Sequence, residues 1–374
     1  MSPVLSRPSR TSRPSRPGRP SRASAPSRTS RPPRRLLALV TGLVLSLTGV
    51  GAGATAQAAG PPTPPDVSTA DGLLRWMADN RDHVGLSVVP DGRPPSIQVN
   101  ARGRFPLASV RKVAIAGALV DSGADLTDTV PRAEVERFYV PGVDPNHLEA
   151  DLDPVAPTLQ QLLDAMLSLS DNAASDTLLD RVGAPAVDRW ARRHGLLHQD
   201  PAMPLLGEFA AWGTDPGWIR RTPADRARRA IALARTTDGT AVRATLPGAD
   251  AQYGLAAVSE AGTPAEWARL LSGIGRCGAP ALVTALDWPR RQAPGTAAAY
   301  DRYLAKGGTL LGVVTEADYV KPAGRPGTAA ALFLRDLPAD VQAGLAASFS
   351  QQELLRRIAE DPAYARKVAR VLRG

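Results

Sequence analysis

Phe105-Pro106-Leu107-Ala108-Ser109-Val110-Arg111-Lys112 runs directly into an apolar, alanine-rich stretch from Val113 to Val120, a pattern that predicts a helix beginning near Ser109. A Ser in the first turn and a Lys three residues on share one helical face. The free N–H groups and the dipole at a helix start favour negative charge, so they help an alkoxide form and steady an oxyanion. A Lys able to take a proton beside a Ser hydroxyl is one way to activate that weak nucleophile. Lysine is rare in this chain: among 45 Lys and Arg residues only Lys112, Lys306, Lys321 and Lys367 are Lys.

N-terminal to this stretch, Ser68 or Thr69 can cap a helix running through Trp76 and Met77. Val84 to Val89 and Ser96 to Val99 then read as two strands, joined through the turn chemistry of Pro90-Asp91-Gly92. C-terminal to it the pattern is helical, with Thr158 to Leu169, Pro185 to His194, Thr222 to Thr236, Thr263 to Ile274 and Thr296 to Leu304 carrying apolar residues at helical spacing. Strand signals return at Thr309 to Val314 and Ala329 to Leu334, before a helical tail from Gln351 to Leu372. The expected fold is α+β, an α/β sandwich: an antiparallel sheet built from both chain ends with flanking helices, plus a central all-helical lobe. The groove between the two is the expected place for a site.

Two further short motifs bear on that groove. Ser170-Asp171-Asn172 follows Ser109 by 61 residues, where one predicted helix ends and the next begins. By itself it is an ordinary helix cap. Lys306-Gly307-Gly308 leads into the strand expected at Thr309, and by itself it reads as a helix stop followed by a turn.

In this order and on these elements, the three motifs resemble the S-x-x-K, S-D-N and K-T-G signatures of the serine β-lactamase and penicillin-binding protein superfamily, in its class A β-lactamase-like branch, over most of residues 70 to 372. The resemblance implies a serine hydrolase that passes through an acyl-serine intermediate, with Ser109 the nucleophile and Lys112 its proton acceptor. Ser170 would relay a proton to the leaving atom, Asn172 would hold the substrate's amide side chain, and Asp171 would brace its own loop. Lys306 would offer positive charge to a substrate carboxylate, the N–H groups of Ser109 and Thr309 would form the oxyanion hole, and Gly307 and Gly308 would let substrate approach the strand edge. Two departures stand out. Gly307 replaces the Thr or Ser whose hydroxyl binds the β-lactam carboxylate. Class A enzymes also use a Glu after Ser-Asp-Asn, with an Asn four residues later, to activate the deacylating water. By distance the candidate is Glu208, 38 residues after Ser170, but Trp212 stands where that Asn should be. The leading reading is β-lactam amide hydrolysis. D-alanyl peptidase, penicillin-binding or esterase chemistry on the same fold is the alternative, and a slow, non-turning-over binding homologue is a third.

Charge and composition set the compartment. The 374 residues are 43% hydrophobic and 22% charged with a formal net charge of +9, which excludes a disordered or fibrous chain and first suggests a polyanion partner. Residues 1–58 hold ten Arg, no Lys and no acid, however, and removing them leaves 35 basic against 36 acidic groups. The basicity belongs to a leader. Its apolar run at 36–50 follows Arg34-Arg35 and ends near Ala56-Gln57-Ala58, so 1–58 reads as a signal peptide and 59–66 as a Pro-rich linker. Residues 67–374 form the expected catalytic domain. The localisation expected is secreted or extracytoplasmic, with membrane contact only through an uncleaved leader, since the run is shorter than the ~20 residues of a spanning helix.

Other features carry less. Cys277 reads as a small buried residue, His147 as a turn residue, and Arg226, Arg228 and Arg229 as a solvated helix face. His194 and His198 lie four apart without a carboxylate to complete a ligand set, and no Gly-x-Ser-x-Gly occurs. The expectation is therefore no metal, no cofactor and no nucleic-acid partner, but a monomer acting on a small-molecule or cell-wall peptide substrate.

Overall fold

A computed structural model describes residues 66–292 and 297–373. The signal peptide expected over 1–58 and the linker expected over 59–66, Asp66 excepted, lie outside the described residues. The strands are β1 Val84–Pro90, β2 Ile97–Val99, β3 Phe105–Pro106, β4 Ala261–Gly262, β5 Tyr300–Leu310, β6 Val313–Pro322 and β7 Thr328–Leu334. Five of them make one antiparallel sheet in the order β2-β1-β7-β6-β5, while β3 and β4 pair separately. The strand order matches the expectation of a sheet completed by both ends of the domain.

Alternation of side chains gives the sheet two apolar faces. Ala329, Ala331 and Phe333 of β7 join the core shared with the central helices, whereas Ala330, Leu332 and Leu334 pack under helices Ala70–Asp79, Ala339–Ser348, Ser350–Glu360 and Pro362–Val371. Helix Lys112–Asp121 is buried from Lys112 through Leu119 and packs against helices Asn172–Val182 and Ala184–Arg193. Helix starts follow their capping chemistry: Thr69 Oγ1 accepts from Gly72 N at 3.0 Å, and Thr158 and Gln161 cap each other reciprocally. Among the described residues no helix is long and apolar enough to cross a membrane.

Several local expectations are corrected. Of the helix expected over Thr296–Leu304, the part from Tyr300 onward is instead the start of β5, because pairing with β6 overrides the helical spacing of the preceding alanines; Thr296 lies outside the described residues. The strand expected over Thr309–Val314 is in fact the end of β5 and the start of β6, split by a hairpin turn at Leu311-Gly312 with Gly312 at φ +74°. Most of β6 escaped notice because Glu316 and Asp318 sit at fully buried positions and mask the apolar alternation. Cys277 is exposed at the end of helix Pro264–Cys277, and Arg226 is buried rather than solvated.

Candidate active site

Ser109 is delivered by a tight turn. Ala108 has φ +46°, and Ala108–Arg111 form a single 3₁₀ turn that passes into helix Lys112–Asp121. A non-glycine residue at positive φ is held there only when its surroundings fix it. Here Leu107 N donates to Glu260 O at 2.9 Å and Leu107 O accepts from Thr315 Oγ1 at 2.9 Å, so the turn is tied to both the β3–β4 ladder and β6. Ser109 is half-buried and Lys112 has no exposed surface.

The second motif closes over Lys112. Helix Leu159–Asp164 continues into a wider turn, Ala165–Leu169, and Ser170 ends it in the left-handed region at φ +61°. That reversal aims the loop inward: Lys112 Nζ donates to Ser170 O at 2.6 Å and Asn172 Oδ1 at 2.6 Å, and lies 3.3 Å from Ser170 Oγ. Burial lowers the Lys112 amine to about 8, against the opposing pull of Asp144 and Asp171. A proton can therefore leave or join this amine near neutral pH.

Asp171 does what its position implies, as Oδ1 caps helix Asn172–Val182 by accepting from Ala174 N at 3.0 Å. The residue that sequence reading missed is His147. It is fully buried, with Nδ1 2.9 Å from Asp171 Oδ2 and Nε2 3.2 Å from Glu136 Oε1, and its ring stacks on Tyr139 at 4.7 Å. Burial opposes its charge, but Asp171 and Glu136 outweigh burial and push the imidazole above its ordinary value. Nearby, Asp144 Oδ2 accepts from Asn172 N at 2.6 Å and Asn146 Nδ2 donates to Leu169 O at 2.7 Å. The chain from 144 to 147 thus props the Ser170 loop from beneath.

The third motif lies within β5, the sheet's edge strand, rather than before it. A Cβ on Gly308 would lie 2.4 Å from Ser109 N, so only glycine lets the strand come this close to the nucleophile's backbone. Lys306 is buried and its Nζ donates to Gly307 O at 2.7 Å. Burial, then the charge of Lys112, push the Lys306 amine well below its usual range.

Glu208 also reaches the groove. Its helix, Leu205–Thr214, begins on Asp176, whose carboxylate accepts from Leu205 N at 2.9 Å and Leu206 N at 2.7 Å. Arg111 Nη1 then donates to Glu208 Oε2 at 3.1 Å and to Glu260 Oε2 at 3.2 Å, with all three side chains buried. Burial raises Glu208 and lifts Glu260 to about 8, against the lowering pull of Arg111. Glu208 Oε1 has no partner among the described residues. Trp212 does not supply the missing amide; it packs edge-on against Phe209 at 5.2 Å. One groove is lined by Ser109, Ser170, Asn172, Glu208, Lys306, Gly307, Gly308 and Thr309, with Lys112 directly beneath. His194 and His198 lie apart from it, His194 stacked on Trp190 at 4.1 Å and His198 Nδ1 2.5 Å from Glu266 Oε1.

The chain matches the model of the beta-lactamase enzyme family over residues 69–352. A curated beta-lactamase of Streptomyces fradiae is 31% identical over 204 residues, covering 52% of this chain and 63% of the relative. One of Amycolatopsis lactamdurans is 30% identical over 125 residues, covering 33% of this chain and 40% of the relative. The matched stretches span less than two thirds of either relative. Among solved structures, the TLA-1 extended-spectrum beta-lactamase superposes with a TM-score of 0.51 at 13% identity, over 76% of this chain and 98% of that chain, a likeness that speaks to the fold. Since the family match takes in more than half of the chain and all three motifs, this chain belongs to the beta-lactamase enzyme family.

Proposed function

We propose that this protein is a secreted serine hydrolase that opens a β-lactam amide through an acyl-Ser109 intermediate. Ser109 Oγ attacks the carbonyl carbon while Lys112 takes its proton, and the N–H groups of Ser109 and Thr309 receive the developing oxyanion. As the C–N bond breaks, the proton passes from Lys112 through Ser170 to the departing nitrogen. Asn172 orients the acyl side chain, and Lys306 lines the same groove as Ser170. The observation that carries this reading is the buried Lys112 amine, lowered to about 8 and held against Ser170 and Asn172.

For the second step Glu208 is the base: its Oε1, without a partner among the described residues, takes the proton of the attacking water while Oε2 is held by Arg111. The Arg111 contact also supports a second reading, in which the acyl-enzyme forms and turns over slowly, as in a D-alanyl peptidase, penicillin-binding protein or esterase. Intact-mass measurement after mixing with a fluorescent penicillin separates the two. A transient adduct, absent in Ser109→Ala and made persistent by Glu208→Gln, supports hydrolysis; a persistent wild-type adduct supports the second reading. No adduct with any β-lactam or activated ester sinks the covalent mechanism. Export is tested by the N-terminus of protein recovered from the medium, expected to follow Ala58.

A further inference from the structure

A second cleft lies between the β5–β6 hairpin, the β3–β4 ladder and helices Pro223–Ala234 and Ala249–Ala256. It encloses about 360 Å³, a size that suits a small organic molecule, and Pro106, Pro223, Val258, Leu311 and Val313 give it apolar walls. Tyr253 closes one side, packed so near Gly312 that a Cβ there would stand 2.8 Å from its ring. Four of the five charged side chains along this cleft cancel in pairs. Arg104 meets Asp200, which also accepts from Ala261 N at 3.0 Å, and Arg335 lies 3.7 Å from Asp336.

Arg226 is the fifth. It is 8% exposed and donates through Nη1 to Arg221 O at 2.8 Å, but among the described residues it has no carboxylate in ion-pair contact and no acceptor for Nε. The acids around it are already taken: Asp215 meets Arg221, Asp225 meets Arg228, and Glu208, which feels the Arg226 charge only from beyond contact, meets Arg111. On the same cleft Ser259, 2% exposed, carries an Oγ without a partner among the described residues. A buried acid can give up its charge by keeping its proton, whereas a guanidinium has no such escape. One unanswered positive charge calls for one negative charge, and the apolar walls call for a body that prefers them to water. We propose that this cleft binds a small organic monocarboxylate, with the carboxylate on Arg226 and Ser259 and the apolar body between Pro223, Leu311 and Tyr253. The site is separate from the acyl-Ser109 chemistry, although Ser259 lines both cavities.

The test is titration calorimetry of the protein with benzoate, with benzamide as its uncharged counterpart, and with inorganic phosphate. Benzoate is expected to bind saturably below about 10 mM and benzamide about 10-fold more weakly, with Arg226→Gln weakening benzoate by about 10-fold and Lys306→Gln leaving it unchanged. Equal binding of benzamide, tighter binding of phosphate than of benzoate, or no saturable binding of benzoate overturns the inference. So does an affinity that Lys306→Gln destroys and Arg226→Gln spares, which would seat the anion in the Ser109 groove instead. Should Arg226→Gln not fold, Ala257→Trp decides, since residue 257 is exposed on the wall of the cleft. That indole is expected to block benzoate, and unaltered binding overturns the site.

Discussion

Along the helical wall of the groove Arg111, His147 and Lys112 meet partners for their charge, whereas along the strand wall, among the described residues, two adjacent buried acids have no cation in ion-pair contact. Arg111 answers Glu208 and Glu260, His147 answers Asp171 and Glu136, and Lys112 is satisfied by Ser170 and Asn172. Glu316 accepts from Gln352 Nε2 at 3.2 Å and is hydrogen-bonded to Asp318, and among the described residues neither acid is in an ion pair. Yet burial lifts acids on both walls, Glu260 to about 8 and Glu316 to about 7. The two walls differ less in how hard their acids are to ionise than in what is lost when a neighbour goes. On the helical wall, removing a partner strands a charge. On the strand wall, removing an acid relieves one.

Arg111→Leu breaks the comparison most severely. It leaves Glu208 and Glu260 buried without their cation, and the expected cost is about 3–5 kcal/mol in urea unfolding at pH 7. The loss should shrink as pH falls and Glu208 joins Glu260, raised to about 8, in its neutral form. A cost below about 1 kcal/mol would show that the guanidinium is not what holds this wall. Next is Gly308→Ala, whose Cβ must displace β5 from Ser109 N. A displacement of this kind is expected to slow acylation about 100-fold in stopped-flow or intact-mass measurements.

Asp318→Asn should have the opposite sign. Burial and the neighbouring Glu316 hold the Asp318 carboxyl well above its ordinary value, while in the unfolded chain it ionises near 4. The folded protein thus keeps a proton that the unfolded chain has released, and wild-type stability falls as pH rises from about 4 toward the folded value. The uncharged variant is expected to gain on the order of 2 kcal/mol over wild type at pH 7.5 and nothing at pH 4. His147→Gln gives the smallest effect, a loss of about 1 kcal/mol at pH 6. Because the folded imidazole titrates above its unfolded value, the stability it contributes is complete below about 6.5 and fades as pH rises through the folded value, so the variant's deficit should close toward alkaline pH. Equal curves at every pH would remove His147 as a charged prop.

The helical wall was the more legible in sequence. Ser109 and Lys112 share a turn, Ser170 and Asn172 flank a cap, and both are local patterns that predict their own elements. Glu208 was found by distance alone, and its setting was hidden because Arg111 and Glu260 lie 97 and 52 residues away from it in opposite directions. His147 looked like a turn residue since nothing near it in sequence announces Asp171 as a partner. On the strand wall, helical spacing of Ala297 to Ala299 and Leu304 concealed β5, and two polar residues at buried positions concealed β6. Those positions are set by cross-strand register, which a sequence does not display until the partner strand is known.

The pairing of β1 with β7 has a consequence for how the chain comes to be folded at all. Leu86 meets Leu332 across a separation of 246 residues, and Val314 meets Leu334 on the other side of the same strand. On a ribosome, therefore, β1 waits with only β2 beside it until nearly the whole domain has been synthesised, and a chain that stops before Thr328 leaves the middle of the sheet open. Contacts of such long range fold slowly and leave apolar edges uncovered meanwhile. The groove wall that carries Lys306 through Thr309 is thus among the last parts of the molecule to become rigid.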